Sequence, residues 1–210
     1  MIVRALHVGK AETHTYQGKP VETGFFKDPV EGARFLSKLG FEGDTQVDQV
    51  HHGGPDKAAL LYALEHYTYW RHELGKNPGP AALGENLTVD GFTETTVCIG
   101  DVYRIGGAVV QVCQPRVPCF KTAIRHGVPD MVERITACGY TGIYGRVLTE
   151  GPVAAGDEVT LLERRAGAPT VAHLNDLLYR DTKNTAAMQA AIAVEQLADV
   201  WKQMLRRRLG

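Results

Sequence analysis

The chain has 210 residues, 44% apolar and 22% charged, with a formal net charge of −1. That length supports one substantial core, or one domain with a small appendage, at an ordinary globular composition. The near balance of charge excludes a global field for nucleic acid or an anionic membrane, so any anion-binding surface has to be local.

The opening residues, MIVRALHVGK, turn polar too soon for a secretory signal. No apolar run approaches the roughly 20 residues that cross a bilayer, so a cytoplasmic protein with no membrane partner is expected. VRALHVG opens the chain as a strand, and a short helix is expected over 29–38. A long helix is expected from about Asp56 to Leu74. Leu60, Leu64, Tyr67 and Leu74 would share one face, and Asp56 would be the N-cap. ENLTVDG follows as a strand. Val102–Ile105, Gly106-Gly107 and Ala108–Val110 then give a hairpin. A third helix covers 129–137, and GRVLTEG and DEVTLLER return to strand text. Many short strands with turn residues between them suggest an all-β barrel, not a βαβ sheet.

After Gly167-Ala168-Pro169 the period changes. Val171, Leu174, Leu177 and Leu178 mark one amphipathic helix, and Thr185 to Ile192 a second. Leu197, Val200, Trp201 and Met204 mark a third. The expected division is a β-barrel over 1–165 and a three-helix unit over 170–210. So short a unit buries little surface alone and should pack on the barrel or on another subunit. Its face of Leu197, Val200 and Trp201 exceeds its own need, and a homodimer is expected. Arg206-Arg207-Arg208 reads as a cationic last turn that complements the helix dipole, not as a nucleic-acid patch.

The four cysteines are Cys98, Cys113, Cys119 and Cys138, with no C-x-x-C pair, so no zinc ribbon or iron–sulfur ligand set is visible. Cys98, Cys113 and Cys138 sit in apolar text and read as small buried hydrophobes. Cys119 lies in Gln114-Pro115-Arg116-Val117-Pro118-Cys119-Phe120-Lys121. Pro118 suits a first helical position, which would put Cys119 in a first helical turn. Free N–H groups there, with Arg116 and Lys121, favour the thiolate, the form that ligates metal or attacks as a nucleophile. The alternative is a buried cysteine beside two surface cations.

A second segment, His51-His52-Gly53-Gly54-Pro55-Asp56-Lys57, puts two histidines and two glycines before a helix start. Gly-Gly allows close backbone approach to a ligand, and the following N-terminus with Lys57 suits an anion. Adjacent histidines make a poor zinc pair, and a polar turn is the plain alternative. His66 and His72 read as surface or packing residues. Gly84-Glu85-Asn86-Leu87 taken alone is an ordinary exit into a strand.

Together these segments resemble a known family. HHGGPDKA, GENLTVDGFTE, VCIGDVYRIGGAVVQVCQPRVPCFK and GIYGRVLTEGPVAAGDEV resemble, in order and spacing, the successive blocks of a MOSC domain. The name abbreviates the C-terminal domain of molybdenum cofactor sulfurase. The resemblance runs through roughly residues 1–163. The tail from Thr170 is similar to the three-helix unit of stand-alone bacterial members, the 6-N-hydroxylaminopurine resistance type.

The resemblance implies a mainly β fold with added helices, built on a closed β-barrel of the pyruvate-kinase type followed by a small three-helix domain. It implies a molybdenum cofactor, Mo-molybdopterin, with Cys119 as the metal ligand. Pyridoxal phosphate is not required, and protein from a host without pterin synthesis should be empty. Arg116, Lys121, Lys57, Lys27, Gly53, Gly54 and Asn86 are the implied cofactor-binding positions. Thr23–Val30 lies on the cofactor face, with Phe25-Phe26 where an Ile-like residue is expected. The implied reaction is reduction of an N-hydroxylated base, or a related N–OH compound, to the amine. Cys119 is catalytic, and His51 or His52 is the proton donor. The chain has no flavin or nicotinamide fingerprint, so a separate electron-donating reductase is the expected partner. The rival reading is a non-catalytic carrier of molybdenum cofactor, or of sulfur as a Cys119 persulfide.

Overall fold

The computed structural model describes residues 1–48 and 53–210. The chain is mainly β, with several helices and a C-terminal helical unit. Thirteen strands run in chain order. They are β1 (Val3–Val8), β2 (Glu12–Tyr16), β3 (Lys19–Thr23), β4 (Asp28–Pro29), β5 (Arg34–Ser37), β6 (Gly40–Phe41) and β7 (Ala59–Ala63). After these come β8 (Leu87–Val89), β9 (Val102–Ile105), β10 (Ala108–Pro115), β11 (Ile143–Thr149), β12 (Gly151–Val153) and β13 (Val159–Glu163). Six helices accompany them: α1 (His66–Leu74), α2 (Lys121–His126), α3 (Met131–Cys138), α4 (Val171–Tyr179), α5 (Thr185–Ile192) and α6 (Asp199–Leu209).

Eight strands form one sheet in the order β13-β9-β10-β11-β7-β8-β1-β4, antiparallel except for β7 beside β8. Its ends approach through an isolated Ile2–Glu158 bridge and backbone hydrogen bonds from Val159 N to Met1 O at 2.8 Å, Val3 N to Asp157 O at 2.9 Å and Gly156 N to Val3 O at 2.8 Å. Among the described residues no continuous ladder closes it, so a closed barrel goes further than the observed pairing. The 102–110 hairpin forms as expected, with Ala108 opposite Ile105 across the Gly106-Gly107 turn.

Two expected helices are strands instead. Residues 59–63 form β7, between β11 and β8, with all five side chains buried. A central strand covered on both faces is a continuous apolar run, and periodicity alone does not separate it from a helix. Only His66–Leu74 of the expected long helix is helical. Asp56 caps nothing. It lies in a short 3₁₀ turn after Gly54, where Arg146 Nε donates to its carboxylate at 2.8 Å. The helix expected over 29–38 is β4 and β5. Gly32 lies between them at φ 72°, and in β5 Phe35 is exposed while Leu36 is buried, the alternation of a strand. The helix expected over 129–137 is present as α3.

The C-terminal unit has the three expected helices. Thr170 Oγ1 accepts from His173 N at 3.1 Å and Asn184 Oδ1 from Ala187 N at 3.1 Å, each capping a helix start. Arg206–Arg208 occupy the last turn of α6. Leu174, Leu177, Met188, Leu197, Trp201 and Leu205 join one core with the sheet residues Val3, Leu6, Leu61, Val110 and Ile143. Trp201 is fully buried and its Nε1 donates to Pro115 O at 2.8 Å. Leu197 and Trp201 are therefore covered by their own chain, which removes the observation behind the expected homodimer. Val200, on the same helix, stays exposed. A second core of Tyr62, Trp70, Leu83, Ala123, Met131 and Ile135 seats α1, α2 and α3.

Candidate functional site

β10 ends at Pro115 and the chain leaves the sheet through residues 116–119 before turning into α2. Arg116 N donates to Gly142 O at 2.9 Å, which pins the start of this segment to the strand side. Cys119 is half-buried, and its carbonyl accepts from Thr122 N at 3.0 Å and Thr122 Oγ1 at 2.8 Å. The helix begins at Lys121, so Pro118 is not a first helical residue and Cys119 precedes the first helical turn. The first helical residue is Lys121, three residues after the expected Pro118.

Cys119 opens into a cleft with about 540 Å³ of empty space. Its walls carry four cations, Lys27, Lys57, Arg116 and Lys121, against two carboxylates, Asp44 and Asp48. Arg116 is 3% exposed, and its guanidinium lies 5.7 Å from the Phe25 ring centroid. Arg116 Nη1 is buried and has no hydrogen-bond partner among the described residues. A buried donor left unpaired costs about 1–3 kcal/mol, more when charged, unless an acceptor arrives from outside the chain.

The other cations differ in circumstance. Lys27 is buried and ion-paired with Asp44, and burial pulls its ammonium below the ordinary lysine range in spite of that carboxylate. Asp44 also accepts from Gly9 N at 2.8 Å and from Asn86 Nδ2 at 2.9 Å. Asn86 Oδ1 in turn accepts from Leu60 N at 3.1 Å. Asn86 lines the cleft as a brace between β1, β7 and Asp44, with its amide already engaged. Lys57 is also lowered by burial, opposed by Asp56 and Asp48. Lys121 is buried at 8% exposure. Tyr144 lines the cleft from β11, and burial pushes its phenol up to about 12, so it stays protonated at neutral pH.

The expected residues are thus partly assembled. Lys27, Lys57, Asn86, Arg116, Cys119 and Lys121 share one cleft. Gly53 and Gly54 line an adjoining depression with Asp56, Lys57, Gln114, Asp199 and Val200, and Lys57 is shared between it and the cleft that holds Cys119. His51 and His52 lie outside the described residues. Asp44 and Tyr144 are wall residues that the sequence argument passed over, while Phe25 belongs to the 23–30 stretch expected on the cofactor face. Tyr144 carried a signal of sorts, opposite Gln114 at the end of β10.

The remaining thiols are occupied by packing. Burial raises Cys98 and Cys138 and pushes Cys113 up to about 12, and Cys113 Sγ donates to Asp56 O at 3.1 Å. His66 is a buried packing residue, 2.6 Å from Glu94 and stacked on Tyr140. Among the described residues no group of three or more His, Cys, Asp and Glu is placed to hold a metal ion.

A family model described as the MOSC domain matches residues 48–160, more than half of the chain. The chain belongs to the MOSC family. A second model, described as a YiiM-like, 3-alpha helix domain, matches residues 169–209, which contain α4, α5 and α6. The stand-alone bacterial type with a C-terminal helical domain is therefore the right subtype. The chain is 45% identical over 206 residues to the protein YflK of Bacillus subtilis (strain 168), spanning 98% of this chain and 93% of YflK. It is 36% identical over 151 residues to a protein of Gibberella moniliformis named Reductase, spanning 70% of this chain and 27% of that protein. The crystal structure of YiiM from Geobacillus stearothermophilus superposes with a TM-score of 0.85 at 35% identity, over 100% of this chain and 99% of that one. Among the described residues no helix is long and apolar enough to cross a membrane.

Proposed function

We propose that this MOSC protein is an oxidoreductase. It holds a molybdenum–pterin cofactor in the cleft and reduces N-hydroxylated bases, or related N–OH compounds, to amines. The observation that carries this reading is Arg116 Nη1, buried without a partner among the described residues in the wall of a cationic cleft that also holds a half-buried thiol. MOSC domains are associated with molybdenum cofactor in general, and the relative named Reductase supports a redox role.

The residues present fit such a group. The Cys119 thiolate is a soft donor of the kind that suits the metal. Arg116 offers a planar guanidinium to the pterin phosphate, and Lys121 and Lys57 add charge from α2 and the turn after Gly54. Lys27 is already neutralised by Asp44, so its part is to hold the wall through Asp44 and Asn86.

When bound, the cofactor supplies two-electron redox chemistry, with N–OH taking two electrons and two protons to give N–H and water. Tyr144 keeps its hydroxyl proton at neutral pH and stands in the wall with Cys119, so it can donate a hydrogen bond to the oxygen that leaves. His51 and His52 stay as proton donors in this reading. Electrons come from a separate reductase.

The test is metal and pterin analysis of protein from a cofactor-competent host, followed by turnover of 6-N-hydroxylaminopurine to adenine with reduced viologen. Loaded protein should turn over. Loaded protein that reduces no N–OH compound would overturn the reading and favour a carrier.

A further inference from the structure

Two cavities meet at Cys119. One is the cationic cleft. The other is a groove of about 430 Å³, within the size range of small-molecule sites. Its walls are mainly apolar: Val117, Pro118, Phe120, Val200 and Met204. Cys119 and Tyr144 belong to both cavities, as do Lys57 and Asp48.

Val117, Phe120 and Val200 are 40%, 40% and 42% exposed, so three large apolar side chains left open to solvent gather around one opening. Two walls come from different parts of the chain. Val117, Pro118 and Phe120 flank the thiol in sequence. Val200 and Met204 lie one turn apart on α6, and Trp201 and Leu205 on that helix are fixed in the core. α6 is thus held in place, with Val200 exposed and Met204 partly buried against the core, both beside the thiol.

We propose that this groove binds the ring of the substrate, and that Val200 and Met204 determine substrate specificity from the C-terminal helical unit. The ligand class is a flat, uncharged aromatic or heteroaromatic ring bearing the N–OH group. The apolar walls seat the ring, and the polar end at Cys119 and Tyr144 faces the reacting group. Among the described residues the single cation of the groove is Lys57, which has Asp48 on the same wall. The reaction in this proposal rests on the reductase reading, but the binding of the ring does not.

The experiment uses the full chain without cofactor. Cys119 is alkylated with iodoacetamide and followed by peptide mass spectrometry, with and without adenine. Adenine should slow labelling several-fold in the wild type. Val200→Asp and Met204→Asp should lose the protection by adenine, and Val200→Ile should keep it. Circular dichroism and thermal melting confirm that each variant is folded.

In cofactor-loaded protein, kcat/KM for 6-N-hydroxylaminopurine relative to hydroxylamine should fall about tenfold in Val200→Asp, with molybdenum content preserved. Protection by adenine that survives both Asp substitutions would overturn the proposal. So would a variant that changes the molecular mass in solution but not the protection, since a second copy would then cover this face. Loaded protein that reduces nothing, with adenine still protecting Cys119 through Val200, would sink the reductase reading and leave the groove assignment standing.

Discussion

The guanidinium of Arg116 lies over the ring of Phe25, 5.7 Å from its centroid. The same ring fills the space that a side chain at Gly84 would need. A Cβ built on Gly84 would come within 2.7 Å of Phe25, at a backbone φ of 79°. Gly84→Ala should therefore strain the backbone and push Phe25 off the guanidinium. The expected result is a loss of about 1–2 kcal/mol in stability and lower cofactor occupancy. Urea denaturation and molybdenum content measure the two. Phe25→Leu should lower occupancy with a smaller effect on stability.

Arg116 and Lys121 offer different chemistry to a phosphate. The guanidinium is planar and carries a buried N–H without a partner among the described residues, whereas the ammonium is a point charge. Arg116→Ala is expected to reduce bound pterin more than Lys121→Ala. Equal occupancy in both variants and in the wild type would place the phosphate elsewhere.

Only Cys119→Ser, of the four cysteine-to-serine variants, should empty the site of molybdenum while the protein stays folded. Cys113→Ser should instead cost stability, because a hydroxyl would replace a thiol that is fully buried between β10 and β11. Loss of metal from a folded variant at Cys98, Cys113 or Cys138 would reassign the ligand.

Trp201 ties the helical unit to the sheet by its buried ring and its hydrogen bond to Pro115 O. Trp201→Ala should destabilise the whole chain by about 3–5 kcal/mol, seen as a single shifted urea transition. Two separate transitions would mean that the helices and the sheet do not share one core.

His7 and His126 are both buried, and burial is the main cause that lowers each below the usual value of 6.5. The unfolded chain therefore binds protons that the folded chain refuses. Stability is complete above about pH 6.5 and is lost as the pH falls below it, by at most about 1.4 kcal/mol per pH unit for each histidine. Urea midpoints at pH 7.5 and 5.5 should show the decline, and His7→Asn should make it shallower. A midpoint that is flat across this window would contradict the burial argument.

The features legible in the sequence are those with local causes. The Gly106-Gly107 turn sets the β9–β10 hairpin, and apolar spacing with Thr170 and Asn184 as caps sets the first two C-terminal helices. The MOSC blocks were likewise readable, with Cys119, Arg116 and Lys121 close together in one segment. The failure at residues 59–63 also has a physical reason. ALLYA is apolar throughout because its strand is covered on both faces, Ala59 and Leu61 by the main core and Tyr62 by the core that seats α1, α2 and α3, and most of that cover is distant in sequence.

The site itself was decided by tertiary structure. Lys27 from the segment before β4, Asp44 after β6, Asn86 before β8 and Tyr144 on β11 reach one cleft only because the sheet order sets β7 between β8 and β11. The fate of Leu197, Val200 and Trp201 was decided in the same way. Helical spacing placed them on one stripe, but only the packing of α6 on the sheet buries two of them and leaves Val200 open beside Cys119. Sequence fixes which face of a helix is apolar, and burial depends on what the rest of the chain sets against that face.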